Sequence, residues 1–175
     1  MLKWLWLSVV VVIADQITKI LVLQNFQYQE SIAIFPSFNL VHVHNYGAAF
    51  SFLSDAGGWQ RWLFAVLALV FSVLIVLWIS RLKPGERFTA IGLALVLGGA
   101  IGNLVDRIYH GYVIDFLDFY MGTSHWPAFN VADIAISIGV VALIILSFFD
   151  DKERDDRGRD NNNAENNKEA PSKNG

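Results

Sequence analysis

Residues 62–80, from Trp62 to Ser80, read WLFAVLALVFSVLIVLWIS, with no charge and only two hydroxyls, those of Ser72 and Ser80. A bilayer's hydrocarbon core is about 30 Å thick, and about 20 helical residues cross it. This run therefore reads as a membrane span, and it decides the fold class. Three other runs approach the same length, at about 3–23, 88–105 and 131–149. Hydrophobic residues make up 54% of the 175, above the roughly 45–50% of soluble domains, and the surplus lies in these four runs. The expected fold is all-α and integral to the membrane: four transmembrane helices with a small β-rich extracytoplasmic platform.

The chain divides into a membrane domain, 1–150, and a tail, 151–175. Eight of the sixteen acids fall in the last 26 residues, in an Asn-rich run without periodicity. Such a composition cannot bury enough apolar surface to offset chain entropy, so a disordered cytoplasmic tail is expected. The chain has no cysteine, which excludes disulfides, thiol nucleophiles and thiolate metal ligands. No basic patch points to nucleic acid. Lys3 followed by an apolar stretch resembles a secretory signal. The stretch runs past Asp15 to Leu23 without a small-residue cleavage site, however, and reads as a retained span.

Lys and Arg set the orientation. Lys3 opens the first span, Arg81, Lys83 and Arg87 fill the short link between the second and third, and six more lie in the tail. The connections at about 24–61 and 106–130 hold only Arg61 and Arg107. Both termini are thus expected in the cytoplasm, with the two long loops outside. In the first loop, Ile32 to Phe35 and Phe38 to His44 are rich in β-formers. Trp59 and Trp62 suit an interfacial belt.

Charge inside a span costs roughly 2.5–3.5 kcal/mol near the bilayer centre, so a retained charge has a partner or a use. Asp15 and Lys19 stand four apart on one face of the first span and can pair. Gly98 and Gly102 form a small-xxx-small pair that permits close helix approach. Asn103, Asp106 and Arg107 follow at the outer interface, as a snorkelling helix end or a polar scaffold for a site. Asp115 sits between apolar residues in an interfacial segment, with Asp118 nearby. Asn130 and Asp133 have the spacing of an N-cap and the third residue of a helix.

Two carboxylates held close do not both ionise easily; one keeps its proton while the other acts as a base. Such a pair can activate water and protonate a departing amine, as amide hydrolysis requires. Spacing alone leaves Asp115 and Asp118 both open as the partner of Asp133.

These residues resemble the lipoprotein signal peptidases, or signal peptidase II, over about residues 1–150. Asp15-Gln16-Ile17-Thr18-Lys19, Asn45-Tyr46-Gly47-Ala48-Ala49-Phe50, Gly98 through Arg107, Val113-Ile114-Asp115-Phe116 and Phe129-Asn130-Val131-Ala132-Asp133 look like the family's motifs, in order. The resemblance implies that Asp115 and Asp133 form the catalytic dyad. It implies supporting roles for Asp15, Lys19, Asn45, Asn103, Asp106, Arg107 and Asn130 around the substrate. It implies removal of signal peptides from diacylglyceryl-modified bacterial prolipoproteins, with the cut just before the lipidated cysteine. It also implies a bacterial inner-membrane location, an active site at the outer face, sensitivity to globomycin, and no metal or cofactor. A monomer surrounded by membrane lipid is expected. Asn45 and Phe50 are expected to point into the cleft, and Asn45, Asn103 and Arg107 to take up substrate carbonyls freed by unwinding.

Three other readings compete. A Ser–Lys peptidase would use Lys19 with an outer serine such as Ser51. A metal hydrolase would use His42 and His44, which share one face of a strand. A small transporter or proton pathway would use the intramembrane acids.

Overall fold

The computed structural model describes residues 1–47 and 57–149; Phe50, Ser51 and the tail at 151–175 lie outside these. Four helices are long and apolar enough to cross a membrane: α1 (Leu5–Asn25, after a 3-10 turn at Leu2–Trp4), α2 (Gln60–Arg81), α3 (Arg87–Tyr109) and α4 (Val131–Phe149). Between them run β1 (Ser31–Phe35), β2 (Phe38–Asn45), β3 (Val113–Met121) and β4 (Ser124–His125). The strands form one antiparallel sheet in the order β1-β2-β3-β4.

Helix α3 is the axis of the bundle. Half of its most apolar window is buried, against 17–28% in the other three helices. Its glycines make this possible. A Cβ on Gly98 would stand 2.7 Å from the Val11 Cβ, and one on Gly102 would stand 2.6 Å from Asp15 Oδ2. A Cβ on Gly99 would run into the main-chain carbonyl of Ala132 on α4. The Gly98–Gly102 pair therefore seats α1, while Gly99 seats α4. Ser8 adds a buried hydrogen bond across the first contact, its hydroxyl donating to the Ala94 carbonyl at 2.7 Å. Gly99→Ala is expected to cost about 1–3 kcal/mol, since a backbone carbonyl cannot rotate away as a side chain can. Thermal unfolding in detergent reads this directly, and an unchanged midpoint would contradict the close contact.

The outward faces are apolar and exposed, as Val66, Val70 and Leu74 on α2 and Ile13, Ile17 and Ile20 on α1 show. A contiguous apolar surface of this extent is solvated by lipid, not water.

Helix α3 runs one turn beyond the expected end at 105, so Asp106 and Arg107 are helical and do not open the loop. Main-chain bonds from His110 and Gly111 to the Asp106 carbonyl close its end. Gly111, at φ 89°, then turns the chain into β3, a conformation that a side chain would strain.

The sheet also differs from expectation. The first loop supplies β1 and β2, but half the strands come from the second, whose Val113–Met121 segment was read only as interfacial. Ile114 and Phe116 of β3 pack with Val22 of α1 in a buried cluster that Leu40 and Val131 border. The sheet is thereby seated on the ends of α1 and α4. The β2–β3 ladder shifts register between Leu40 and Val43; this is a bulge, and it buries Val41 and His42 in succession.

Candidate active site

Strand β3 and the start of α4 carry the two aspartates, and the main chain ties these elements together. The amides of Phe116 and Leu117 donate to the Phe129 carbonyl at 3.0 and 2.9 Å, and the Phe129 amide donates back to the Leu117 carbonyl at 3.0 Å. One residue later, Asn130 begins the helix. Its Oδ1 accepts the Asp133 amide at 3.0 Å, and its own amide donates to Asp133 Oδ2 at 3.3 Å. This is the reciprocal capping arrangement that the spacing predicted.

The cap also serves the other acid. Asn130 Nδ2 donates to Asp115 Oδ1 at 2.6 Å, and Asn45 Nδ2 donates to Asp115 Oδ2 at 3.0 Å. Asn103 Nδ2 donates to Asp133 Oδ1 at 2.8 Å. Asp115 and Asp133 thus line one cavity of about 1150 Å³, each held by side-chain amides. The sheet, Arg107 and the apolar side chains of Ile134 and Ile138 also border this cavity.

Asp115 is 2% exposed. Burial first, and the Asp133 carboxylate second, push it up to about 7, against the opposing hydrogen bonds from Asn45 and Asn130. The folded chain therefore holds a proton that the unfolded chain, at 3.8, has released. That contribution to stability is complete below about pH 4 and lost as pH climbs through 7.

Behind the aspartates lies a buried polar core. The Lys19 ammonium bonds Asp15 Oδ2 and Asp106 Oδ2, each at 2.8 Å, and Asn103 Oδ1 at 3.0 Å. All three of its N–H bonds are used, so it has no free position from which to serve as a base. Asp15 Oδ1 accepts the Ala132 amide at 2.9 Å, which satisfies an open donor in the first turn of α4. Asp106 Oδ2 accepts the Ile114 amide at 3.1 Å and so positions β3. Gln16, given no role from the sequence, donates to Asp106 Oδ1 at 2.9 Å and to the Gly102 carbonyl at 3.2 Å. A glutamine beside Asp15 in an apolar run was the signal that could have marked it.

Arg107 does not snorkel away. Its guanidinium donates to the carbonyls of Gly47 and Asn103 and lies over the Phe64 ring. The amides of Asn45 and Asn103, expected to receive substrate carbonyls, are instead directed at Asp115 and Asp133. Asp118 also borders the cavity, but its carboxylate is taken up by other partners: Asn39 Nδ2 donates to it at 2.8 Å, and His125 Nδ1 pairs with it at 2.9 Å.

A family profile described as Signal peptidase (SPase) II matches residues 7–149. The lipoprotein signal peptidase of Shewanella pealeana is 55% identical over 158 residues, covering 88% of this chain and 92% of that protein. That of Vibrio vulnificus is 52% identical over 155 residues, covering 87% and 92%. A solved bacterial membrane enzyme, 28% identical, superposes with a TM-score of 0.78 over 87% of this chain and 92% of its own. The membership decides for a peptidase over a transporter: the chain belongs to the signal peptidase II family.

Proposed function

We propose that this chain removes signal peptides from diacylglyceryl-modified prolipoproteins in the bacterial inner membrane, with Asp115 and Asp133 as an aspartyl dyad. The observation that carries this reading is that both carboxylates line one cavity, each fixed by asparagine amides. One acid stays protonated because two adjacent charges in a poorly solvated site repel. The ionised one takes a proton from water as its oxygen attacks the scissile carbonyl carbon. The protonated one donates a hydrogen bond to the developing oxyanion. Collapse of the tetrahedral species breaks the C–N bond, and the proton taken from water leaves with the amine.

The Lys and Arg distribution supports cytoplasmic termini, which puts the sheet and the dyad at the outer face, where a signal peptide helix ends. The apolar wall of the cavity suits that peptide and the lipid chains on the adjacent cysteine. Asn45, Asn103 and Asn130 position the two acids. Lys19, Asp15 and Asp106 hold the helices that carry them.

The direct test is incubation of the purified protein with a diacylglyceryl-modified prolipoprotein, with both products weighed by mass spectrometry. The expected product begins at the lipidated cysteine. An intact substrate, or a cut elsewhere, would overturn the assignment.

The pH profile tests the dyad separately. With Asp115 held near 7, raising the pH removes the shared proton, and the pair titrates as a unit. kcat/KM is expected to fall about tenfold per pH unit on the alkaline side. A level profile from pH 6 to 9 would count against a proton-sharing pair.

A further inference from the structure

On β2, His42 and His44 stand two residues apart, on one face by the strand's period of two. The bulge between Leu40 and Val43 re-aims the side chains beside it. The two Nε2 atoms are 3.2 Å apart and the ring centroids 5.0 Å apart. Two imidazole nitrogens bound to one ion at about 2.0–2.1 Å and a near-tetrahedral angle stand about 3.3 Å apart. Rings radiating from that ion have centroids about 5.2 Å apart by the same arithmetic. A head-on N–H···N hydrogen bond of this length places them about 5.5 Å apart. The observed pair is closer to the convergent arrangement.

The surroundings hold both rings. His42 Nδ1 lies 3.2 Å from the Phe26 carbonyl. A proton on Nδ1 is donated there, which leaves the Nε2 lone pair toward His44. This backbone anchor is the usual outer partner of a ligating histidine. His44 is clamped between two tyrosines, with Tyr28 stacked at 4.2 Å and Tyr112 at 3.7 Å. Among the described residues no third His, Cys, Asp or Glu completes a metal-binding group.

We propose that His42 and His44 form a binding site for one imidazole-seeking divalent cation, Cu²⁺, Zn²⁺ or Ni²⁺, with water completing its shell. Two neutral nitrogen donors select such ions over the oxygen-seeking Mg²⁺ and Ca²⁺. The site borders the catalytic cavity, since His44 lines it and the next residue, Asn45, holds Asp115.

Untagged full-length protein in nanodiscs, titrated with Cu²⁺ and read by electron paramagnetic resonance, tests this. The expected result is one Cu²⁺ per chain with two nitrogen donors, displaced by Zn²⁺ or Ni²⁺ but not by Mg²⁺. His42→Gln and His44→Gln each lose this signal, while His110→Gln and His125→Gln keep it. A one-nitrogen signal in the unaltered protein, or a two-nitrogen signal surviving His42→Gln, overturns the site. The nitrogen count in the unaltered protein needs no variant, so misfolding cannot mask a failure.

Discussion

Replacing either Asp115 or Asp133 with asparagine is expected to reduce cleavage about a thousandfold or more, while the helices and sheet stay in place. The amide can neither accept the proton of the attacking water nor give one to the departing amine. The structural cost is smaller. Asp115 accepts two amide donors, from Asn45 and Asn130. An asparagine there offers one oxygen, so one donor loses its partner, at about 1–3 kcal/mol. Removal of a poorly solvated carboxylate offsets part of that. Both variants should therefore insert and melt near the parent temperature. Asp118→Asn is the contrast. Its partners are Asn39 and His125, and its cleavage should fall far less. Turnover within tenfold of the parent in either Asp115→Asn or Asp133→Asn would sink the dyad.

Lys19→Met is expected to be the most destabilising single change, at about 3–5 kcal/mol. Lys19 is 1% exposed, and Asp15 and Asp106 are 0% and 1% exposed. Without the ammonium two carboxylates face each other in a low-dielectric interior with no cation between them. Methionine fills the space but offers no compensation. The prediction is a large drop in the unfolding midpoint and in membrane-inserted protein. Adding Asp106→Asn to Lys19→Met should recover part of the loss, because the two sites share one interaction and are not additive. An unchanged midpoint for Lys19→Met would show that the cluster holds nothing together. Cleavage should also fall in any Lys19→Met protein that does fold, because Lys19 holds Asn103, and Asn103 holds Asp133.

The spans were legible because hydropathy over some 20 residues is a strong signal that no tertiary contact reverses. The Asn130–Asp133 cap was legible because its geometry is local, three residues apart. The Asp15–Lys19 pair was legible for the same reason, as one helical turn. Lys19–Asp106 was not, since nothing in a single chain's spacing brings α1 to α3. Strand β3 was the main omission. Its first four residues are all buried, so it lacks the alternation of a half-exposed strand, and two acids interrupt its apolar run. The choice between Asp115 and Asp118 was closed to spacing for a related reason. Their partners, Asn45 and Asn39, lie on a neighbouring strand about 70 and 79 residues away. That the Asn45 and Asn103 amides donate to Asp115 and Asp133 was also closed to spacing, because it depends on where an amide points.

The three main-chain bonds between Phe129 and residues 116 and 117 also bear on how this protein can vary. They come from main-chain amides and carbonyls, so they do not depend on which side chains occupy 117 and 129, although the buried Phe116 side chain also helps to seat the sheet. A change of side chain at 117 or 129 therefore leaves these three bonds, and the tie between β3 and the start of α4, available. Proline at 116, 117 or 129 is the exception, because it alone would delete a strand of that tether.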